Sequence, residues 1–199
     1  MIKNTTITTL PIFEIRDRFI DSVRNTNRII VKAPTGSGKS TQIPQFLNSI
    51  KELQGRILVL EPRRIAAKMV ALRVAHEMGE ELGKHVGFIT RFEQAVSSGT
   101  KIIFITEGIL PRKLLADPVL KDVSAVVFDE FHERSVTTDV GLALVKRVQI
   151  ESNSDIRIVV MSATLDTGPL LDYLPDAVVV ESAGAMYPVE VTYNHFPVT

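Results

Sequence analysis

The 199-residue chain has no cysteine, no net charge and no long apolar run, and each absence removes a class of protein. Without cysteine there is no disulfide and no thiolate metal site, which fits a reducing compartment. Lys and Arg number 23 against 23 Asp and Glu, so nothing global draws the chain to a polyanion, and any nucleic-acid contact has to come from a local surface. No apolar stretch approaches membrane-spanning length, and the opening Met1-Ile2-Lys3-Asn4-Thr5-Thr6 has no long apolar segment behind its lysine. Internal repeats, low-complexity tracts and interior linkers are missing as well. With 45% hydrophobic residues there is enough for one ordinary core, and a cytoplasmic globular protein with no membrane association is expected.

What is present centres on Ala33-Pro34-Thr35-Gly36-Ser37-Gly38-Lys39-Ser40-Thr41, between the apolar run Ile29-Ile30-Val31 and a stretch at 42–53 able to form a helix. Strand, glycine-rich loop and helix in that order make a phosphate-binding loop. Gly36 and Gly38 can take positive φ and turn successive N–H groups toward phosphate oxygens. The helix start adds unsatisfied N–H groups and the positive end of its dipole. Thr35, Gly36, Ser37, Gly38, Lys39, Ser40 and Thr41 are therefore candidates to hold a nucleotide, with Lys39 reaching the β and γ phosphates and the Ser40 hydroxyl on Mg²⁺. The usual pattern opens on glycine where this chain has Ala33, but the chemistry rests on Gly36, Gly38, Lys39 and Ser40. Lys39 is expected to be an exposed loop cation that contributes little to the core.

Strands and helices alternate along the chain. Residues 10–27 place Ile12, Ile15, Phe19, Ile20 and Val23 on one helical face. Buried strands are expected at 56–61, 101–106, 125–128 and 156–161, with a short strand and turn at 86–93 and a last strand at 177–180. Helices are expected at about 63–78, up to about 116, and at 138–150, the first set off by Pro62 and ended by Gly79. Continuous apolar strands alternating with helices predict a mostly parallel sheet with helices on both faces. Each motif follows a strand's last apolar residue, at the carboxyl edge where such sheets bind ligands.

Asp129 and Glu130 end the run Ala125-Val126-Val127-Phe128. Opposite a phosphate loop, Asp129 is placed to hold Mg²⁺ directly or through water, and Glu130 to orient or deprotonate an attacking water. By itself the pair would read as a solvated acidic turn. His132 has no second histidine at metal-ligand spacing, which favours a role coupling this site to Ser162-Ala163-Thr164 over metal binding, beside a purely structural histidine. Pro62-Arg63-Arg64 and Thr90-Arg91-Phe92 are basic spots suited to nucleic-acid backbone phosphates, or arginines that cap a helix or pair with Glu93.

Taken together these residues resemble the first RecA-like domain of a DEAH-box helicase of superfamily 2, over about residues 10–193. Ala33 to Thr41 matches motif I, Glu61-Pro62-Arg63-Arg64-Ile65-Ala66-Ala67 motif Ia and Thr106-Glu107-Gly108 motif Ib. Asp129-Glu130-Phe131-His132-Glu133-Arg134 matches motif II and Ser162-Ala163-Thr164 motif III. Phe131 replaces the usual alanine, a form similar to the bacterial HrpB-type branch. The resemblance implies an α/β RecA-like P-loop NTPase that couples ATP hydrolysis, with Mg²⁺, to remodelling of RNA. Lys39, Glu130 and His132 are then the catalytic candidates, Ser40 and Asp129 the Mg²⁺ ligands, and Ser162 and Thr164 the coupling residues. Arg63, Arg64, Arg91, Thr106 and Gly108 would touch single-stranded RNA, and Arg73 would pack on the nucleotide base. Relatives need a second RecA-like domain bearing arginine fingers. Residues 1–187 would be the first domain, with the junction to the second beginning at 188–199, so a fragment is expected. A P-loop ATPase acting on DNA, or a nucleotide-dependent RNA-binding module without turnover, are the alternatives.

Overall fold

In the computed structural model, residues 10–152, 154–164 and 167–183 are described. The junction expected at 188–199 lies outside them. Pro11, with φ fixed and no N–H to donate, opens a 3₁₀ turn at Pro11–Ile15 before α1, Arg16–Asn25, so the helix foreseen over 10–27 begins in the tighter form. Next come β1 (Arg28–Lys32), α2 (Lys39–Asn48), β2 (Arg56–Glu61), α3 (Arg64–Glu77), β3 (Val86–Ile89), β4 (Gln94–Ala95) and β5 (Ile102–Thr106). The described chain continues through α4 (Ile109–Ala116), β6 (Val123–Phe128), a 3₁₀ turn at Phe131–Glu133, α5 (Val136–Glu151), β7 (Arg157–Ser162), α6 (Gly168–Tyr173) and β8 (Val178–Glu181).

Among the described residues the strands form one eight-stranded sheet in the order β4-β3-β5-β2-β6-β7-β1-β8. Every pairing is parallel except β3 with β4. Alternate residues of each central strand enter different cores, as a pleat of period two requires. Ile29, Val31, Ile57, Val59, Phe104, Val127 and Met161 pack with Phe19, Ile43, Phe46 and Val74, beneath α1, α2 and α3. Ile30, Leu58, Leu60, Ile105, Phe128 and Val160 pack with Leu110, Leu142, Val145 and Leu170, beneath α4, α5 and α6. Burial on both faces explains why these strands are continuous apolar runs, and each such side chain contributes roughly 1.5–3 kcal/mol.

Differences from the expected boundaries have local causes. Gly38, at φ 96°, turns the chain straight into α2 at Lys39 rather than Gln42. That helix stops at Asn48 because Ile50 and Leu53 continue in tighter turns, their N–H groups bonding the carbonyls of Leu47 and Ile50 at 3.1 Å. Both side chains stay buried. Among the described residues no helix is long and apolar enough to cross a membrane.

Candidate active site

The phosphate loop leaves β1 beside β7, where Ala33 N–H donates to the Ser162 carbonyl at 3.1 Å. Gly36 and Gly38 hold φ of 79° and 96°, the left-handed region open to glycine at little cost. Across the sheet edge, β6 delivers Asp129, whose N–H is fixed to the Leu60 carbonyl of β2 at 3.1 Å. Order in the sheet brings these pieces together, because β7 alone separates β1 from β6.

Lys39 is buried, 3% exposed, and not the exposed cation expected from the loop. Its Nζ lies 2.8 Å from Glu130 Oε1. The reason is the early helix start: Lys39 is the first residue of α2, and its side chain runs inward along the sheet edge toward the acids of β2 and β6. Asp129 Oδ1 accepts the Glu130 N–H at 2.8 Å, and the Ser40 hydroxyl lies toward the same carboxyl. Burial pushes the Asp129 carboxyl above the usual carboxylate range, opposed by the nearby Ser40 hydroxyl and the charge of Lys39. Among the described residues the second oxygen, Oδ2, is buried without a hydrogen-bond partner, and the Ser37 hydroxyl is in the same condition. An orphaned carboxylate oxygen beside a serine hydroxyl is a donor set suited to a hard divalent cation. Among the described residues no cluster of three or more acidic, histidine or cysteine side chains could hold a metal alone. A cation held by Ser40 and Asp129 would take its remaining ligands from phosphate and water.

Glu130 itself sits at φ 47°, ψ 38°, and Arg134 at φ 44°. Non-glycine residues so placed cost on the order of 1–3 kcal/mol each and persist where their surroundings fix them. Here the surroundings are plain. Lys39 holds Glu130, and Phe131 is 3% exposed with its ring edge-on to Phe128 at 6.4 Å. Arg134 bonds Asp139 at 2.8 Å, and Glu133 meets Arg63 at 2.9 Å. His132 Nδ1 approaches Glu130 Oε2 to 3.4 Å without making a hydrogen bond. The imidazole and Thr164 line the same cavity of about 620 Å³, bounded also by Phe131, Arg134, Leu170 and Tyr173. Ser162 is fully buried, and among the described residues its hydroxyl has no partner and only its backbone reaches the phosphate loop.

A smaller cavity of about 350 Å³ is lined by Thr35, Gly36, Gly38, Lys39, Ser40, Thr41, Arg73, Glu77 and Glu130. It includes Arg73, which α3 carries to the mouth of the phosphate loop. Glu77 fixes that arginine at 2.6 Å and also accepts from Gln42 and Gln45 at 2.8 Å. Further along the edge, Arg64, Arg91, Thr106 and Gly108 share a cleft of about 490 Å³ with Phe92 and Arg112. Arg63 does not line that cleft; it faces Glu133.

Three acidic or basic residues near these sites had not been singled out. Glu61 ends β2 as Asp129 follows β6, and a carboxylate closing an apolar strand was a readable signal. Its pKa is pushed up to about 9, first by burial, then by Asp129 and Glu130, against the pull of Lys39. Glu107 and Arg112 had weaker signals, since one lies inside a recognised motif and the other on an ordinary helix face.

A phosphate loop facing an Asp-Glu pair across the carboxyl edge of a parallel sheet defines a RecA-like P-loop nucleotide-binding domain. Residues 13–171 match the family model described as DEAD/DEAH box helicase, and the chain belongs to that family. Over 191 residues it is 39% identical to the ATP-dependent RNA helicase HrpB of Escherichia coli (strain K12), covering 96% of this chain and 24% of that protein. It is also similar to the crystal structure of Escherichia coli DEAH/RHA helicase HrpB, with a TM-score of 0.87 and 40% identity over 92% of this chain and 23% of that one. A crystal structure of E. coli DExH-box NTPase HrpB gives the same TM-score at 39% identity, over 94% of this chain and 23% of that one. The chain thus spans about a quarter of the length of the relatives it matches.

Proposed function

We propose that the chain is the first RecA-like domain, residues 1–187 with a junction beginning at 188–199, of a cytoplasmic ATP-dependent RNA helicase. The observation that carries this reading is the pair of buried Lys39 and half-buried Glu130, 2.8 Å apart, which joins the phosphate loop to the acid after β6. ATP phosphates entering the loop compete for the lysine. Once Lys39 turns to the β and γ phosphates, the Glu130 carboxylate is released to orient a water and accept its proton as that water attacks the γ-phosphorus and the bond to ADP breaks. Thr35, Gly36, Ser37, Gly38 and Thr41 cradle the phosphates, and Arg73 packs on the base. Ser40 and Asp129 would hold Mg²⁺, which neutralises phosphate charge when bound. His132, Ser162 and Thr164 pass the change in the site to a second RecA-like domain of the same protein. The shared cavity of His132 and Thr164 supports that path.

Single-stranded RNA lies along Arg64, Arg91, Thr106 and Gly108 through its phosphates, with Arg63 joining after it leaves Glu133. Phosphate contacts give affinity without reading sequence. The experiment is steady-state phosphate release by this chain and by the full-length protein, each without polynucleotide, with single-stranded RNA and with single-stranded DNA. Arginine fingers are worth about 10³–10⁵ in rate. The chain alone is expected to bind ATP, to hydrolyse it very slowly and to respond little to RNA, while the full-length protein turns over and is stimulated by RNA. Rapid RNA-stimulated turnover by the chain alone would overturn the two-domain part; stimulation by DNA in place of RNA would overturn the substrate.

A further inference from the structure

Between the nucleotide site and the nucleic-acid cleft runs a loop whose two ends are tied to different things. Its start is tied to the nucleotide site through Lys39 and Glu130. The other end, Ser135, is tied to Glu107, the residue between Thr106 and Gly108. Ser135 Oγ donates to Glu107 Oε2 at 2.6 Å and Thr138 Oγ1 donates to Glu107 Oε1 at 2.6 Å, so one carboxylate spends both oxygens on the first turn of α5. Ser135 Oγ also accepts the Thr138 N–H at 3.0 Å, capping that helix. Thr138 is buried, and Glu107 points away from the cleft that its neighbours line. Such charge-assisted bonds are the strong kind, and both fall on the same helix end.

We infer that Glu107 is a positioning residue, linking the 106–108 turn to the loop at 130–134 so that a polynucleotide seated on the turn sets where Glu130 stands. This rests on the reading of the 106–108 turn as a nucleic-acid contact. The loop is suited to the task because Glu130 and Arg134 hold left-handed φ, and only five residues separate Asp129 from Ser135. A shift of Ser135 by a fraction of an ångström therefore has little slack to be lost in. Neither phosphate nor base need touch Glu107 for the effect to occur.

The test uses the full-length protein with Glu107→Gln, Thr138→Val and Thr138→Ser. Thr138→Val keeps the volume of the side chain and deletes one hydroxyl on Glu107, so it covers the case in which Glu107→Gln fails to fold. With saturating RNA, turnover by Glu107→Gln and Thr138→Val should fall about 10- to 100-fold, the scale of a small misplacement of a reacting group. Turnover without RNA and the affinity for RNA should change less than about two-fold, since no contact to either ligand is removed. Thr138→Ser, which restores the hydroxyl, should recover most of the stimulated rate. Equal stimulation of wild type and Thr138→Val by RNA would overturn the link while leaving the RNA reading standing. Loss of basal turnover in parallel would reduce Glu107 to a structural residue and also overturn it. Absence of stimulation in the wild type would remove the RNA reading and the inference with it.

Discussion

The proposed nucleotide half of the carboxyl edge and the half proposed to take a polynucleotide present their cations in opposite ways. On the nucleotide side the cation is buried and paired: the Lys39 side chain is 4% exposed and Glu130 is beside it. On the proposed polynucleotide side the cations stand in solvent: Arg64 and Arg91 are exposed and lie against an exposed Phe92. A buried charge has been desolvated during folding and is costly to leave alone, so its position is fixed before the ligand arrives. An exposed arginine keeps its water and its freedom, and its attraction is screened within about 8–10 Å at physiological salt. The buried side should therefore respond to mutation in large, specific steps, and the exposed side in small steps that salt erases.

The sharpest break of that contrast is Glu130→Gln. The amide keeps the shape and can still accept from Lys39, but it cannot take a proton. RNA-stimulated turnover of the full-length protein should fall about 10²- to 10⁴-fold, with affinity for a non-hydrolysable ATP analogue kept. Turnover at the wild-type rate would dismiss Glu130 as the base. Next comes Lys39→Ala, which should weaken binding of the same analogue about 10²- to 10³-fold, as when one member of a desolvated charge pair is removed. Because Lys39 is buried, the fold also pays something, less than the roughly 3–5 kcal/mol of a fully enclosed pair since Glu130 is a quarter exposed. Calorimetry and thermal unfolding read the two effects separately.

Glu61 sharpens the buried side in another way. Unfolded, its carboxyl ionises near 4.5; folded, near 9. Between those values the native state holds a proton that the unfolded state has lost, so raising the pH withdraws stability, by up to about 1.4 kcal/mol per pH unit. The contribution is whole below 4.5 and gone above 9. Glu61→Gln, neutral at every pH, should flatten this slope, gaining most over wild type at pH 8.5 and least at pH 5.5. Melting temperatures at those two pH values check it, and parallel curves would mean that Glu61 is ionised in the fold.

How much of this could be read in the residues follows from what each depends on. The central strands were legible because two-faced burial writes itself as unbroken apolar runs, such as Ile57-Leu58-Val59-Leu60. The phosphate loop and Asp129-Glu130 were legible because their spacing after those strands is the chemistry. β4, at two residues, and α6, at six, are too short to carry a period, and what holds β4 is its pairing with Phe88 and Ile89 rather than its own sequence. Burial of Lys39 was illegible for a related reason. It is set by the start of α2 and by three acids from the ends of two strands, Glu61 of β2 and Asp129 and Glu130 after β6, which come together only in the folded sheet. The Glu107 clamp had the same obstacle, its partners standing 28 and 31 residues away.

The smallest effects belong to the exposed side, and there the slope against salt decides more than the affinity. Arg64 and Arg91 place their guanidinium carbons 5.4 and 5.3 Å from the Phe92 ring centre, over a cleft that also holds Thr106 and Gly108. If each meets one RNA phosphate, Arg64→Ala and Arg91→Ala should each lower the slope of log affinity against log salt by about 0.7, the value per contact for a single strand. The loss of affinity at any one salt should be modest and alike for unrelated RNA sequences, because a phosphate carries no base identity. Phe92→Leu should do less still. It removes cation–π support of about 0.5–1 kcal/mol at an exposed site but leaves both charges, so affinity drops slightly while the slope stays at the wild-type value. Fluorescence anisotropy with two unrelated single-stranded RNAs, over a salt series, separates these outcomes. A sequence-dependent loss at Arg64 or Arg91 would mean that the side chain reads bases, and a slope change with Phe92→Leu would mean that the ring, rather than the arginines alone, sets how many phosphates are neutralised.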